Sequence, residues 1–198
     1  MYQYDNGISD ALFVRGEAPM TKEEIRVISL SKLKLRRDSI VWDIGAGTGS
    51  VSIEAALYCS EGEVFAVEQN PKAIGLLTIN STAFEVKNLR IIEGKAPGAL
   101  GALPNPDRVF IGGSGEHTKE ILNKVLETIQ PTGIVVVNSI TLDTSYTALQ
   151  FFERRGLTHE MICVNISASK KAGKKTMMIA RNPVYILSAK MDDLDGER

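Results

Sequence analysis

The 198-residue chain predicts an α/β protein whose sheet is doubly wound, seven-stranded and mostly parallel, ending in an antiparallel C-terminal hairpin. Three observations lead there. Short β-branched runs alternate with longer helical patterns, as βαβ units require. The apolar runs are continuous rather than alternating, so their strands are covered on both faces. Near the C-terminus two β-rich runs follow one another with no room for a helix between them, which predicts an antiparallel pair at a sheet edge.

The elements follow in order. Thr21 with Glu24 three residues on forms a capping box, and the helix it opens runs to about Leu33 with Ile25, Ile28 and Leu33 inward. Residues 40–44 (IVWDI) end in glycines and form the first strand. Residues 50–58 carry a helical apolar stripe, and residues 63–68 (EVFAVE) form the second strand. Pro71 stands at a first helical position and opens a helix with Ile74, Leu77 and Ile79. Strands follow at 89–92 and 108–111. Between 117 and 129, Ile121, Leu122, Val125, Leu126 and Ile129 make a helical stripe that Pro131 and Gly133 stop. Residues 133–138 (GIVVVN) form the fifth strand, and 145–155 a helix capped by Gly156. The closing hairpin is placed at 160–166 and 176–180, joined by the loop 167–175.

Composition excludes several classes. Lys+Arg is 23 and Asp+Glu is 24, a net charge of −1 that rules out a generally basic nucleic-acid coat. Only Cys59 and Cys163 are present and no CxxC pair exists, so neither a disulfide scaffold nor a Cys-rich metal site is expected. Both cysteines read as core. His117 and His159 lie far apart, and no metal is expected. Residues 1–7 carry no basic run followed by an apolar one. No apolar stretch approaches the roughly 20 residues of a membrane span, so the expected compartment is the cytoplasm.

The first strand runs directly into Asp43-Ile44-Gly45-Ala46-Gly47-Thr48-Gly49-Ser50, and a helix follows. Glycines suit a sharp turn and close approach of a ligand. Ligands of open α/β sheets bind at the carboxyl ends of strands. Glu68 ends the second strand, where a carboxylate can accept hydrogen bonds from both hydroxyls of a ribose. A dinucleotide site needs glycines at relative positions one, three and six. Here those positions hold Gly45, Gly47 and Ser50, while Gly49 fills position five.

This G-x-G-x-G, with an acid two residues before it and an antiparallel hairpin at the end, resembles motif I of Rossmann-like class I S-adenosylmethionine-dependent methyltransferases. The fourth strand is followed by Gly112-Gly113-Ser114-Gly115 rather than an (N/D)PPY clamp, which argues against the usual adenine or glutamine N-methylation. Four further stretches are more specific. Residues 19–26 (PMTKEEIR), 43–50 (DIGAGTGS), 92–97 (IEGKAP) and 107–115 (DRVFIGGSG) together resemble the precorrin carbon-15 methyltransferases of cobalamin synthesis, over roughly residues 5 to 180.

The resemblance implies methylation of carbon 15 of cobalt-precorrin-6B, with decarboxylation of a ring acetate. It implies cofactor contacts from Thr21, Asp43, the loop Gly45, Ala46, Gly47, Thr48 and Gly49, then Glu68, Gln69 and Ala96. Many members carry Asp where this chain has Lys95, next to the matching Ala96. It also implies a tetramer. The tetrapyrrole substrate carries many carboxylates, so cationic anchors are expected from Arg15, Lys22, Lys170 and Lys171. The loop Gly112, Gly113 and Ser114 would let a flat ring approach the backbone. No catalytic acid or base stands out.

The chain is expected to be one domain. Residues 1–38 would form a segment and helix covering cofactor and substrate, 39–182 the core, and 183–198 a tail. Three alternatives remain open at this point. One is a tRNA adenine methyltransferase, whose phosphates the lysines of 170–175 would track. Another is a different small-molecule methyltransferase, and the third is a cofactor-binding scaffold without activity. No nucleic-acid or membrane partner is expected.

Overall fold

The computed structural model describes residues 7–191. A seven-stranded sheet has the spatial order β3 (Leu89–Glu93), β2 (Glu63–Glu68), β1 (Ile40–Ile44), β4 (Arg108–Ile111), β5 (Ile134–Ser139), β9 (Val184–Lys190), β6 (Thr158–Val164), and a separate two-stranded sheet pairs β7 (Ser167–Ala172) with β8 (Lys175–Ala180). The first five strands are β1 (Ile40–Ile44), β2 (Glu63–Glu68), β3 (Leu89–Glu93), β4 (Arg108–Ile111) and β5 (Ile134–Ser139). They pair in parallel, with Ile44 opposite Val67 on one side and Ile111 on the other. The helices are α1 (Glu23–Leu33), α2 (Ser50–Tyr58), α3 (Pro71–Ala83), α4 (Thr118–Thr128) and α5 (Leu142–Arg154).

Both faces of the sheet are covered, which is why its strands read as unbroken apolar runs. On one face Trp42, Ile44, Val109, Val135 and Leu187 pack against Ile121, Leu122 and Val125 of α4 and Phe152 of α5. On the other, Val41, Val64, Phe110 and Val136 meet α1 and α2, and Ala66 meets Leu77 of α3. The strand order reverses between β1 and β4. Ligand crevices of open α/β sheets lie at such a reversal, outside the carboxyl ends of the strands.

The C-terminal part departs from the sequence reading. The expected partners, 160–166 and 176–180, do not pair. β6 (Thr158–Val164) instead pairs antiparallel with β9 (Val184–Lys190), which lies between β5 and β6 and is antiparallel to both. The stretch 184–190 thus belongs to the core rather than to a tail, with Ile186, Leu187 and Ala189 buried. Residues assigned to a loop form β7 (Ser167–Ala172), which makes an independent hairpin with β8 (Lys175–Ala180), the strand expected at 176–180, turning at Gly173 with φ +62°. The hairpin connection between β6 and β9 is long and contains a smaller hairpin, so local pairing signals pointed to the wrong strand. The rest of the expected tail, Asp192 to Arg198, lies outside the described residues.

Two smaller corrections concern helix ends. Thr21 does not cap α1. Lys22 is the N-cap residue and makes no side-chain cap bond. The carboxylate of Asp10 instead accepts from the Glu23 N–H at 3.0 Å, and Glu24 pairs with Arg181 at 2.7 Å. Helix α5 begins at Leu142, capped by the Thr141 hydroxyl, three residues earlier than expected. Cys59 is buried as expected, its thiol pushed up to about 12 chiefly by burial. Cys163 is exposed, because β6 is an edge strand. Among the described residues no helix is long and apolar enough to cross a membrane.

Candidate active site

The crevice at the strand-order reversal holds two adjoining cavities. The first, about 490 Å³, is lined by Gly45 and Gly47 after β1, Glu68 to Asn70 after β2, Gly94 to Ala96 after β3 and 112–117 after β4. Ala18 and Pro19 of the N-terminal segment close it. The second, about 430 Å³, is lined by residues 19–22, Ile25, the same glycine loop 112–115, residues 138–141, Thr144 and Val184. Pro19 and the loop 112–115 therefore form the partition between them. Both volumes are in the range of small-molecule sites.

The glycine loop is shaped by three approaches. Gly45 has φ +77°, and a side chain there would meet the backbone of Gly113 at 2.7–2.8 Å. The loops after β1 and β4 thus touch through bare backbone. Gly47 has φ +57°, and its added Cβ would stand 2.9 Å from the Pro19 carbonyl oxygen. Gly49, with φ +81°, lies at the start of α2, and a side chain there would strike Leu77 of α3. Gly45 and Gly47 face the cavity. Ala46 packs beneath them with Ala66 and Leu77, and Thr48 is 1% exposed.

Glu68 sits at the end of β2 and organises the floor. One carboxylate oxygen accepts from Gly47 N–H at 2.9 Å, and the other from Gln69 and Asn70 N–H at 2.8 and 2.9 Å. A carboxylate offers about four lone-pair sites, so capacity for a ligand hydroxyl remains. Asp43 lies below the cavity rather than on its wall. One of its oxygens accepts from the Ser52 hydroxyl and the other is buried with no hydrogen-bond partner. Burial raises its carboxyl to about 7, the Ser52 bond offsets part of that, and the charge of Glu68 adds to it.

The expected anchors divide. Lys22 and Thr21 line the second cavity, and Gly112, Gly113 and Ser114 line both. Gln69 and Ala96 line the first. Arg15 lines neither, its guanidinium bonding the Asp10 carbonyl. Lys170 and Lys171 are exposed on β7 and line neither cavity. Asp107, within the stretch 107–115, serves the far end of the sheet. It is 1% exposed and accepts from Arg36, Ser39 and the Ile40 N–H.

Sequence reasoning missed the polar groups that fix the N-terminal segment. Arg26 is fully buried, paired with Glu54 and 5.0 Å above the Phe13 ring. Glu54 also accepts from the Gly7 and Ile8 N–H groups. The available signal was a charge within each apolar helical stripe, Arg26 beside Ile25 and Glu54 between Ile53 and Ala55, since buried charges need partners. The wall contributed by 138–141 gave no such signal.

Residues 12–191 match the family model described as a precorrin methyltransferase domain. The chain is 41% identical over 186 residues to a probable cobalt-precorrin-6B C(15)-methyltransferase (decarboxylating) of Pyrobaculum calidifontis, covering 92% of this chain and 95% of that one. It is 38% identical over 189 residues to the cobalt-precorrin-6B C(15)-methyltransferase (decarboxylating) of Salmonella typhimurium, covering 94% and 97%. The crystal structure of a precorrin-6y C5,15-methyltransferase from Geobacter metallireducens superimposes with a TM-score of 0.89 at 42% identity, over 93% of this chain and 97% of that one.

Proposed function

The chain belongs to the precorrin methyltransferase family, and on that premise we propose that it methylates carbon 15 of cobalt-precorrin-6B, with decarboxylation of a ring acetate. The observation that carries the reading is the pair of adjoining cavities divided by Pro19 and the loop 112–115. Methyl transfer needs the donor methyl and the acceptor carbon in line and about 3–3.5 Å apart with water excluded, which two cavities meeting along one shared edge can provide.

The first cavity fits S-adenosylmethionine by its donor set. Glu68 is placed for ribose hydroxyls, Gly45 and Gly47 offer bare backbone, and Gln69, Asn70, Lys95 and Ala96 form the end suited to adenine. The cofactor, when bound, supplies an electrophilic methyl group on a sulfonium whose departure needs no acid. The residues of this chain therefore need chiefly to position and enclose. Thr21 acts through its carbonyl, which accepts from Arg26 at 2.6 Å and from the Ser50 hydroxyl at 3.4 Å. Asp43, Ala46, Thr48 and Gly49 support the loop from below. The buried, unpartnered oxygen of Asp43 lies in that floor, beneath the loop.

In the second cavity Met20, Ile25, Ile140 and Val184 give apolar walls for a flat ring. Lys22 supplies a cation for a carboxylate arm, and Ser114, Ser139, Thr141 and Thr144 supply hydroxyls. Arg15, Lys170 and Lys171 are assigned to carboxylate arms that extend beyond the cavity. The ring's own conjugation makes its carbon nucleophilic, so no protein base is assigned.

A homotetramer and a cytoplasmic location complete the proposal. The β7–β8 hairpin supports self-association. It exposes Met177 and Ile179 on one face and Met178 on the other, and an isolated two-stranded hairpin gains stability when its apolar side chains are covered. Product analysis after incubation with cobalt-precorrin-6B and S-adenosylmethionine tests the function. The acceptor should gain a methyl group and lose carbon dioxide.

A further inference from the structure

The segment that closes both cavities is laid along a single stripe of α3. Four contacts at four-residue intervals mark it. The Phe84 ring, just past the helix end, lies 4.8 Å from Phe13. Asn80 bonds Val14, and Leu76 stands 3.1 Å from where a side chain on Gly16 would begin. Lys72 pairs with Glu17 at 2.8 Å. Residues four apart share one helix face, so the stripe fixes the path of the segment. That path ends at Ala18 and Pro19, on the cavity wall.

Of these contacts only Asn80 reaches both the segment and the glycine loop. It is fully buried. Its carbonyl accepts from the Val14 N–H at 2.7 Å. Its amide donates to the Val14 carbonyl at 3.1 Å and to the Thr48 carbonyl at 2.9 Å. One side chain therefore ties the segment to the loop next to the point where Pro19 faces Gly47. The contacts of Leu76 and Lys72 hold the segment to the helix, and Phe13 packs between Phe84 and Arg26.

We infer that Asn80 is a positioning residue for the methyl-transfer site, setting the separation between the Pro19 wall and the glycine loop. The inference rests on the reading of the larger cavity as the cofactor site. Because Pro19 lines both cavities, loosening Asn80 acts on donor and acceptor together.

The test is calorimetric titration of the full chain with S-adenosylhomocysteine, well below the melting temperature. Asn80→Asp keeps an acceptor for Val14 but loses both donated bonds, and Asn80→Ala loses all three. Loss of these buried bonds should raise Kd about tenfold in Asn80→Ala and at least as much in Asn80→Asp, whose carboxyl faces the Val14 and Thr48 carbonyls, with one site per chain retained. Phe152→Leu, in the core on the other face of the sheet, should lower the melting temperature and leave Kd as in the parent. A merely structural role would reduce the fraction of sites rather than Kd. Parental Kd in both Asn80 variants overturns the inference, as does an equal rise of Kd in Phe152→Leu. A parent chain that does not bind S-adenosylhomocysteine overturns the cofactor reading and this inference with it. If Asn80→Ala does not fold, Asn80→Asp and the unsubstituted chain carry the test. Hydrogen exchange at the Val14 N–H of the unsubstituted chain must slow when S-adenosylhomocysteine is added, and an unchanged rate overturns the inference.

Discussion

The carboxylate of Glu68, at the end of β2, accepts a hydrogen bond from the backbone N–H of Gly47 at 2.9 Å. One acid thus holds the glycine loop in shape while leaving about one lone-pair site for a ligand hydroxyl. Charge-assisted hydrogen bonds of this kind are worth about 1.5–3 kcal/mol each. Glu68→Ala is expected to weaken S-adenosylmethionine at least about tenfold. Calorimetry is the measurement, and an unchanged affinity removes Glu68 from the site.

Gly47 has a positive φ and faces the Pro19 carbonyl. A side chain here would meet the Pro19 carbonyl at 2.9 Å, on a backbone conformation that suits glycine. Gly47→Val should therefore abolish cofactor binding by pushing the N-terminal segment outward, with Gly47→Ala intermediate. Protease sensitivity of residues 7–20 should rise in step. Parental affinity in Gly47→Val contradicts the geometry.

Asp43 gives a pH signature. Its carboxyl is raised to about 7 when folded, chiefly by burial, against about 3.9 in an unfolded chain. Between those values the folded chain holds a proton that the unfolded chain has released, so stability falls as pH rises and the loss is complete above about 7. Asp43→Asn should flatten this part of the profile. Melting curves from about pH 4 to about pH 8 decide it. The same fall with pH in both proteins would contradict the assignment.

Lys22 is a cation on the wall of the second cavity, near Asp10 at 3.6 Å. Lys22→Ala should raise the acceptor KM several-fold, as expected for loss of a charge-assisted contact, and leave cofactor affinity alone. Neutralising Lys170 and Lys171 should have a smaller effect that fades with salt, because both are exposed. A KM that responds to the hairpin lysines and not to Lys22 would reverse this ordering.

Much of the fold was legible because parallel strands buried on both faces leave unbroken apolar runs, and β1, β2 and β4 lie where the sequence put them. Strand β9 was missed because its partner β6 ends 20 residues before it begins, with a second hairpin between them. Glu68 and the loop 112–115 were legible as an acid and glycines at strand ends. Arg26, Glu54 and Asn80 were not, since a buried polar residue in a helix looks like a solvated one until its partner is known. The partners of Asn80 lie 66 and 32 residues away.

The most direct measurement is mass spectrometry of the acceptor after incubating the purified chain with cobalt-precorrin-6B and S-adenosylmethionine. The account predicts a corrinoid product that has gained one methyl group and lost one carbon dioxide, with S-adenosylhomocysteine formed in equal amount. Methylated tRNA with the corrinoid unaltered would contradict it.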